Sequence, residues 1–227
     1  MQSADSVTES TAELTPLEAR VLGCLIEKEF TTPDVYPLTL NALVNACNQK
    51  SNRDPIMEVS ACEVEVVLDQ LRQKRFVALF SGADARVQKF RQKLDEVYPM
   101  TEPARALLCE LLLRGPQTLA GLRGNSERMQ PMPSLEDFPQ LVEELADRES
   151  GALVRQLLRQ PGQKETRWAQ LLTGEPAATP VASAETLKVK VAMALPPEVE
   201  ARLASLEAEM AVLRTELGKL KHSLGDS

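Results

Sequence analysis

The feature that most constrains this chain is an internal duplication. Ala19-Arg20, Leu22 and Cys24 return as Ala104-Arg105, Leu107 and Cys109, 85 residues further on. Thr39-Leu40 and Leu43 return as Thr118-Leu119 and Leu122, 79 residues on, and the stripe Val64, Val67, Leu68, Leu71 returns as Phe138, Leu141, Val142, Leu145 at an offset of 74. Offsets that shrink only at connections are what a repeated unit with shortened loops produces. The chain is therefore read as two like units in series.

Each unit has the same predicted order of elements. In the first, Thr15 caps a helix with Pro16 at its first position and Glu18 closing a capping box, and Val21, Leu22, Leu25 and Ile26 follow at helical spacing. Thr31-Thr-Pro33 ends it. A second helix is expected from Thr39, with Leu40, Leu43, Val44 and Cys47 on one face, and a third from about Ser60 to Lys74, capped by Ser60 and Glu63. Phe76–Ser81 reads as a strand, Gly82-Ala-Asp84 as a turn and Arg86–Leu94 as the returning strand. The second unit starts at Thr101 and ends in the hairpin Ala152–Arg159, Pro161-Gly162, Glu165–Leu172. Aromatics are only 4% of the residues, so the cores must be built from Leu, Val and Ala.

The resulting fold class is mainly α with small β-hairpins (α+β), two winged-helix units in tandem. Residues 1–13 read as a disordered acidic tail, 14–98 and 99–172 as the two units, and 173–195 as an Ala/Pro/Thr-rich linker. Residues 196–224 read as a C-terminal coiled-coil helix. There Val199, Leu206, Leu213 and Leu220 occupy d positions and Leu203, Met210, Leu217 and Leu224 occupy a positions. In a parallel dimer Arg202 would meet Glu207, Glu209 would meet Arg214, and Glu216 would meet Lys221, all attractive. The expectation is a homodimer through this helix; a helix folding back on its own body stays open, as do strand number and direction.

The residues also carry a family likeness. Leu14-Thr-Pro-Leu-Glu-Ala-Arg-Val-Leu-Gly23, and above all Tyr36-Pro-Leu-Thr-Leu-Asn-Ala-Leu-Val-Asn-Ala-Cys-Asn-Gln-Lys-Ser-Asn-Arg-Asp-Pro55, closely resemble the YceH-type family of uncharacterised bacterial proteins over roughly residues 14–172. The resemblance implies a tandem winged-helix fold. It implies no activity, ligand or catalytic residue.

Chemistry is sparsely provided for. The only histidine, His222, lies in the terminal helix, so no Ser/His/Asp set is within reach of the folded units. No phosphate-cradling glycine motif is present, since Gly121-Leu-Arg-Gly124 is too short and lacks a preceding strand. The cysteines at 24, 47, 62 and 109 form no Cys-x-x-Cys pair, so neither a zinc site nor any other cofactor is expected. The start lacks a basic segment followed by an apolar one, and no apolar run is long enough to span a bilayer, so the expected location is the cytoplasm. The chain is read as a non-enzyme.

Binding is the remaining class. The formal charge of −7 argues against a general nucleic-acid coat. Locally, however, Arg72, Lys74, Arg75, Arg86, Lys89, Arg91 and Lys93 stand against the single acid Asp84. Alternation puts Lys89, Arg91 and Lys93 on one face of the returning strand, with Phe90 and Leu94 on the other, and the loop bearing Lys50 and Arg53 could join them. That surface suits phosphate contacts from a wing, and it would make the chain a DNA-associated or regulatory protein. Against it, the third helix carries Glu63, Glu65 and Asp69, and its counterpart carries Glu136, Asp137, Glu143, Glu144, Asp147 and Glu149. The alternative is an adaptor whose winged helices bind polypeptide, an architecture similar to that of bacterial segregation and condensation protein B.

Overall fold

Residues 13–80, 87–159 and 163–176, together with Glu216, are described in the computed structural model. Residues 1–12 of the expected tail, 177–195 of the expected linker and every a and d position from Val199 to Leu224 lie outside them, as do Arg86 and the turn at 82–84.

Helix α1 (Pro16–Thr31) begins where the sequence asks. Thr15 Oγ1 accepts from the Glu18 amide at 3.2 Å, and the Glu18 carboxylate accepts from the Thr15 amide at 2.6 Å. A 3-10 turn (Pro33–Val35) leads to a two-residue strand β1 (Leu38–Thr39), which period-based reading does not detect because two residues carry no period. Thr39 then caps α2 (Leu40–Cys47) through the Ala42 amide. Ser60 and Glu63 form the capping box of α3 (Ala61–Gln73), whose buried side is Val64, Val67, Leu68 and Leu71. The hairpin is β2 (Val77–Phe80) and β3 (Lys89–Gln92), and β1 joins its free edge in the order β1-β3-β2, all antiparallel. A single turn, α4 (Leu94–Val97), closes the half.

The second half repeats the scheme with α5 (Glu102–Arg114), α6 (Leu119–Ser126), α7 (Phe138–Ala146) and the hairpin β4 (Val154–Gln156) and β5 (Trp168–Gln170). Even the short strand has its echo. Leu38 pairs with Phe90 in the first half, and Gln117, in the residue before the α6 cap, bridges to Trp168 in the second. The fold of the described residues is α+β: seven α-helices with two small antiparallel sheets.

The halves are not beads on a string, for residues 13–176 fall within one compact unit. In α1 every residue from Leu17 to Glu27 is buried, and in α5 every residue from Ala104 to Leu113. A helix buried all round belongs at a centre, covered from several sides. Here α1 and α5 supply each other's missing cover by lying side by side. Their approach is close at Gly23, where an added Cβ would sit 2.8 Å from Leu113 Cδ2 and 3.3 Å from Leu112 Cβ. Cys109 Sγ meanwhile donates to the Gly23 carbonyl at 3.2 Å. The ends of the unit are tied as well, Leu14 N–H donating to the Leu172 carbonyl at 2.6 Å. Cys24, Cys47 and Cys109 are buried as small core residues, Cys62 is exposed, and all four are free.

Gly23 is thus held small by its neighbour rather than by its backbone. Gly23→Leu should lower the unfolding free energy by about 2–3 kcal/mol through overpacking of the α1–α5 contact. Gly23→Ala, which gains about 1 kcal/mol of helix propensity against a milder clash, should stay within about 1 kcal/mol of the parent. Urea unfolding of the three proteins checks the order.

Candidate functional site

The cations singled out in the sequence divide sharply once their surroundings are known. Strand β3 stops at Gln92, short of the expected Leu94, because the chain turns into α4 there; Arg91 is exposed, Lys89 and Lys93 are half-buried, and Phe90, Gln92 and Leu94 are buried. Register places Phe80 across from Lys89 and Ala78 across from Arg91, so the outward face of the hairpin mixes cations with a ring that is 47% exposed. Two of these cations have partners in the same chain. Glu96 lies 2.5 Å from Lys93 and 3.6 Å from Arg91. Arg72 pairs with Asp69 one helical turn back, at 2.9 Å. Such exposed pairs are worth about 0–1 kcal/mol and exchange readily for other anions.

Two others are committed to the fold. Lys74 reaches the buried Glu18 carboxylate at 2.7 Å and the Glu13 carbonyl at 2.9 Å. Arg53, expected to join a phosphate-contacting loop, is instead buried, its side chain wholly covered. Lys50 and Arg75 are exposed, Arg75 in the left-handed backbone region at φ 64°.

What holds Arg53 is a charge cluster at the junction of the two halves. Its guanidinium makes a two-pronged contact with Glu27 of α1, at 3.1 Å and 2.5 Å, and also donates to the carbonyls of Ala46 and Asn52 and to Gln49. Glu27 receives a second guanidinium, Arg128 from the segment after α6, at 2.5 Å. Arg128 bridges on to Glu110 of α5 at 3.0 Å, and Arg114 approaches the other Glu110 oxygen at 3.4 Å. The Asp54 amide donates to the Leu113 carbonyl at 2.9 Å, stitching the same loop to α5. A further tie joins Arg105 of the second half to Glu29 and Asp95 of the first, with its guanidinium over the Phe30 ring.

The two buried carboxylates respond in opposite directions. Burial pushes Glu27 up, but the Arg53 hydrogen bond and charge, reinforced by Arg128, outweigh it and hold Glu27 below the ordinary range. Glu110 has the same burial penalty and weaker partners, so it is raised. The cluster was not recognised in the sequence. A usable signal existed in Glu110, a lone charge inside the apolar run Leu107-Leu-Cys-Glu-Leu-Leu-Leu113. Arg114 is its i,i+4 neighbour, but Arg128 is 18 residues away and the Glu27–Arg53 pair belongs to the other half, so no local pattern gathers the cluster.

Beside the cluster opens a polar cleft of about 470 Å³, bounded by Asn52 and Asp54 from one half and Arg114, Gln117, Thr118 and Arg167 from the other. Among the described residues no group of three or more His, Cys, Asp or Glu is placed to hold a metal ion, and no helix is long and apolar enough to cross a membrane.

Glu27→Ala should cost about 3–5 kcal/mol at neutral pH, since it strands Arg53 beneath the surface. Because the Glu27 value is depressed on folding, its contribution is present above the ordinary carboxylate range and is lost as pH falls through the folded value. Thermal unfolding followed from pH 6 down to pH 2 should therefore show a smaller acid loss in Glu27→Gln than in the parent, from a lower starting point.

Comparison with known proteins adds sequence relatives. Residues 14–163 match the family described as "Protein of unknown function, DUF480". A UPF0502 protein of Geotalea daltonii is 54% identical over 163 residues, 72% of this chain and 74% of the relative. Another from Geotalea uraniireducens is 49% identical over 201 residues, 86% and 88% of the two chains. One from Vibrio vulnificus is 41% identical over 213 residues, 92% and 96%. A match of that length necessarily includes residues beyond 172, so the likeness is not confined to the duplicated region, as the sequence reading had it.

Proposed function

Since the chain belongs to the DUF480 family, whose function the family description leaves open, we propose from its own geometry that it is a non-enzymatic tandem winged-helix protein whose partner is a polypeptide. Support for the winged-helix reading is the recurrence, in each half, of helix, one short strand or bridge, two helices and a hairpin whose second strand pairs with that short element. The observation that carries the choice of partner is the fate of the cations. Arg53 and Lys74 are locked onto carboxylates of their own chain, and Arg72, Arg91 and Lys93 face acidic neighbours. Each such pair has to open before its cation can neutralise a phosphate, and Arg53 and Lys74 are held too firmly to do so, which lowers the affinity a wing could draw from this run.

Beside these cations the hairpins also expose apolar side chains. Phe80 and Val87 are 47% and 59% exposed at the first hairpin, and Leu158 is 93% exposed beside β4. Among the helices, α3 presents Glu65 and Asp69, and α7 presents Glu143 and Glu144, all exposed. Exposed apolar anchors together with acidic helix faces suit a basic, amphipathic polypeptide. A DNA reading has one observation in its favour, the outward row Lys89, Arg91 and Lys93 beside Phe80. In either case residues 196–224 supply the dimer, and Leu206→Glu with Leu213→Glu should halve the mass found by sedimentation equilibrium.

The deciding experiment uses the full chain as bait in nuclease-treated cell extract, beside a salt titration against mixed-sequence duplex DNA. A stoichiometric protein partner that is lost with Phe80→Asp and Leu158→Asp is expected. Salt-sensitive DNA binding, with a slope that falls by about 1 per phosphate contact in Lys89→Glu, Arg91→Glu and Lys93→Glu variants, would overturn the polypeptide reading in favour of the wing.

A further inference from the structure

The junction cleft has a charge imbalance that the fold itself does not use. Arg53, Arg114, Arg128 and the more distant Lys28 face only two carboxylates, Glu27 and Glu110, so positive charge is in excess even with both acids ionised. On the cleft wall Arg167 and Asp54 offset one another, so the excess stands. The buried Arg53 is satisfied by Glu27, so the excess falls on the half-buried Arg114, whose guanidinium lines a cleft open to solvent and can take a counter-charge there.

The individual groups are disposed for that. Arg114 contacts Glu110 through Nε at 3.4 Å and the Asn52 side-chain oxygen through Nη1 at 3.5 Å, which leaves its Nη2 edge uncommitted. Asn52 occupies the left-handed region at φ 56°, and in that conformation its carbonyl accepts from Arg53 while its side chain meets Arg114. Arg167 is exposed and has no carboxylate partner among the described residues. Two guanidinium forks with free donor edges match the oxygens of a phosphate or carboxylate in pairs. At about 470 Å³ the cleft is of a size that takes a small molecule rather than a lone ion.

We propose that this cleft binds a small molecule bearing a phosphate or carboxylate group, held by Arg114 and Arg167, and that the ligand bridges the two halves of the duplicated unit. The site does not involve Phe80 or Leu158, although Arg167 stands on the same hairpin as Leu158. A ligand there completes the junction's charge balance, and by binding only the folded state it stiffens the α1–α5 contact.

Isothermal titration calorimetry of the full chain tests this, with inorganic phosphate and with citrate as probes, against chloride at matched ionic strength. Saturable binding of one or both is expected, weakened about tenfold or more in Arg167→Gln, since a charge-assisted hydrogen-bond set is removed. Arg167 contributes to the hairpin only through its carbonyl, which accepts from the Leu157 amide at 2.7 Å, so the variant keeps the fold. Arg159→Gln, which removes an exposed cation of the same hairpin that does not line the cleft, should bind like the parent. Preference for phosphate or for citrate identifies which oxyanion the natural ligand carries. No saturable heat up to about 10 mM of either probe, or unchanged affinity in Arg167→Gln, overturns the proposal.

Discussion

Glu27 is placed where the whole arrangement turns. Its carboxylate sits in a buried stretch of α1 and takes one guanidinium from the loop of its own half and another from the opposite half. A carboxylate in that position is tolerable only when paired, and Arg53 becomes buried by pairing with it while Arg128 closes the pair from the solvent side. The loop carrying Arg53, the segment carrying Arg128 and the helix carrying Glu110 are all positioned by this requirement. The cleft beside them is a consequence: it opens where the two halves meet around a cluster that must stay polar.

Burying charge at a junction is a poor way to gain stability when apolar contacts are on hand, and α1 and α5 already supply those through Gly23, Leu112 and Leu113. What the cluster adds is orientation. An apolar seam tolerates sliding by a fraction of a turn, whereas a two-pronged carboxylate–guanidinium contact does not. The duplicated halves are therefore fixed in one relation. Any partner gripping both hairpins meets two surfaces at a set spacing, which is how a pair of weak modules becomes a single effective one.

Much of the local structure was legible. Thr15/Glu18 and Ser60/Glu63 announced two helix starts, and the stripe from Val64 to Leu71 named the buried side of α3. The duplication itself extended to a detail too small to read, the short strand at Leu38–Thr39 and its counterpart at Gln117. The candidate site was less legible. A run of cations reads the same whether its members face solvent or a distant carboxylate, and Lys74 finds Glu18 across 56 residues. Arg53 looked like a surface loop cation because its neighbours are polar, yet its partner lies 26 residues away in α1.

Sequence alone determined the repeated helix-and-hairpin units, their caps and the residues each buries, because those follow from periodicity and from chemistry within a few positions. Only the tertiary structure decided that α1 and α5 form a common centre and that Arg53 lies inside. It also decided that the cleft between the halves carries an excess of positive charge. Those are matters of which charges meet through space, and Coulomb attraction between groups tens of residues apart leaves no period in the chain.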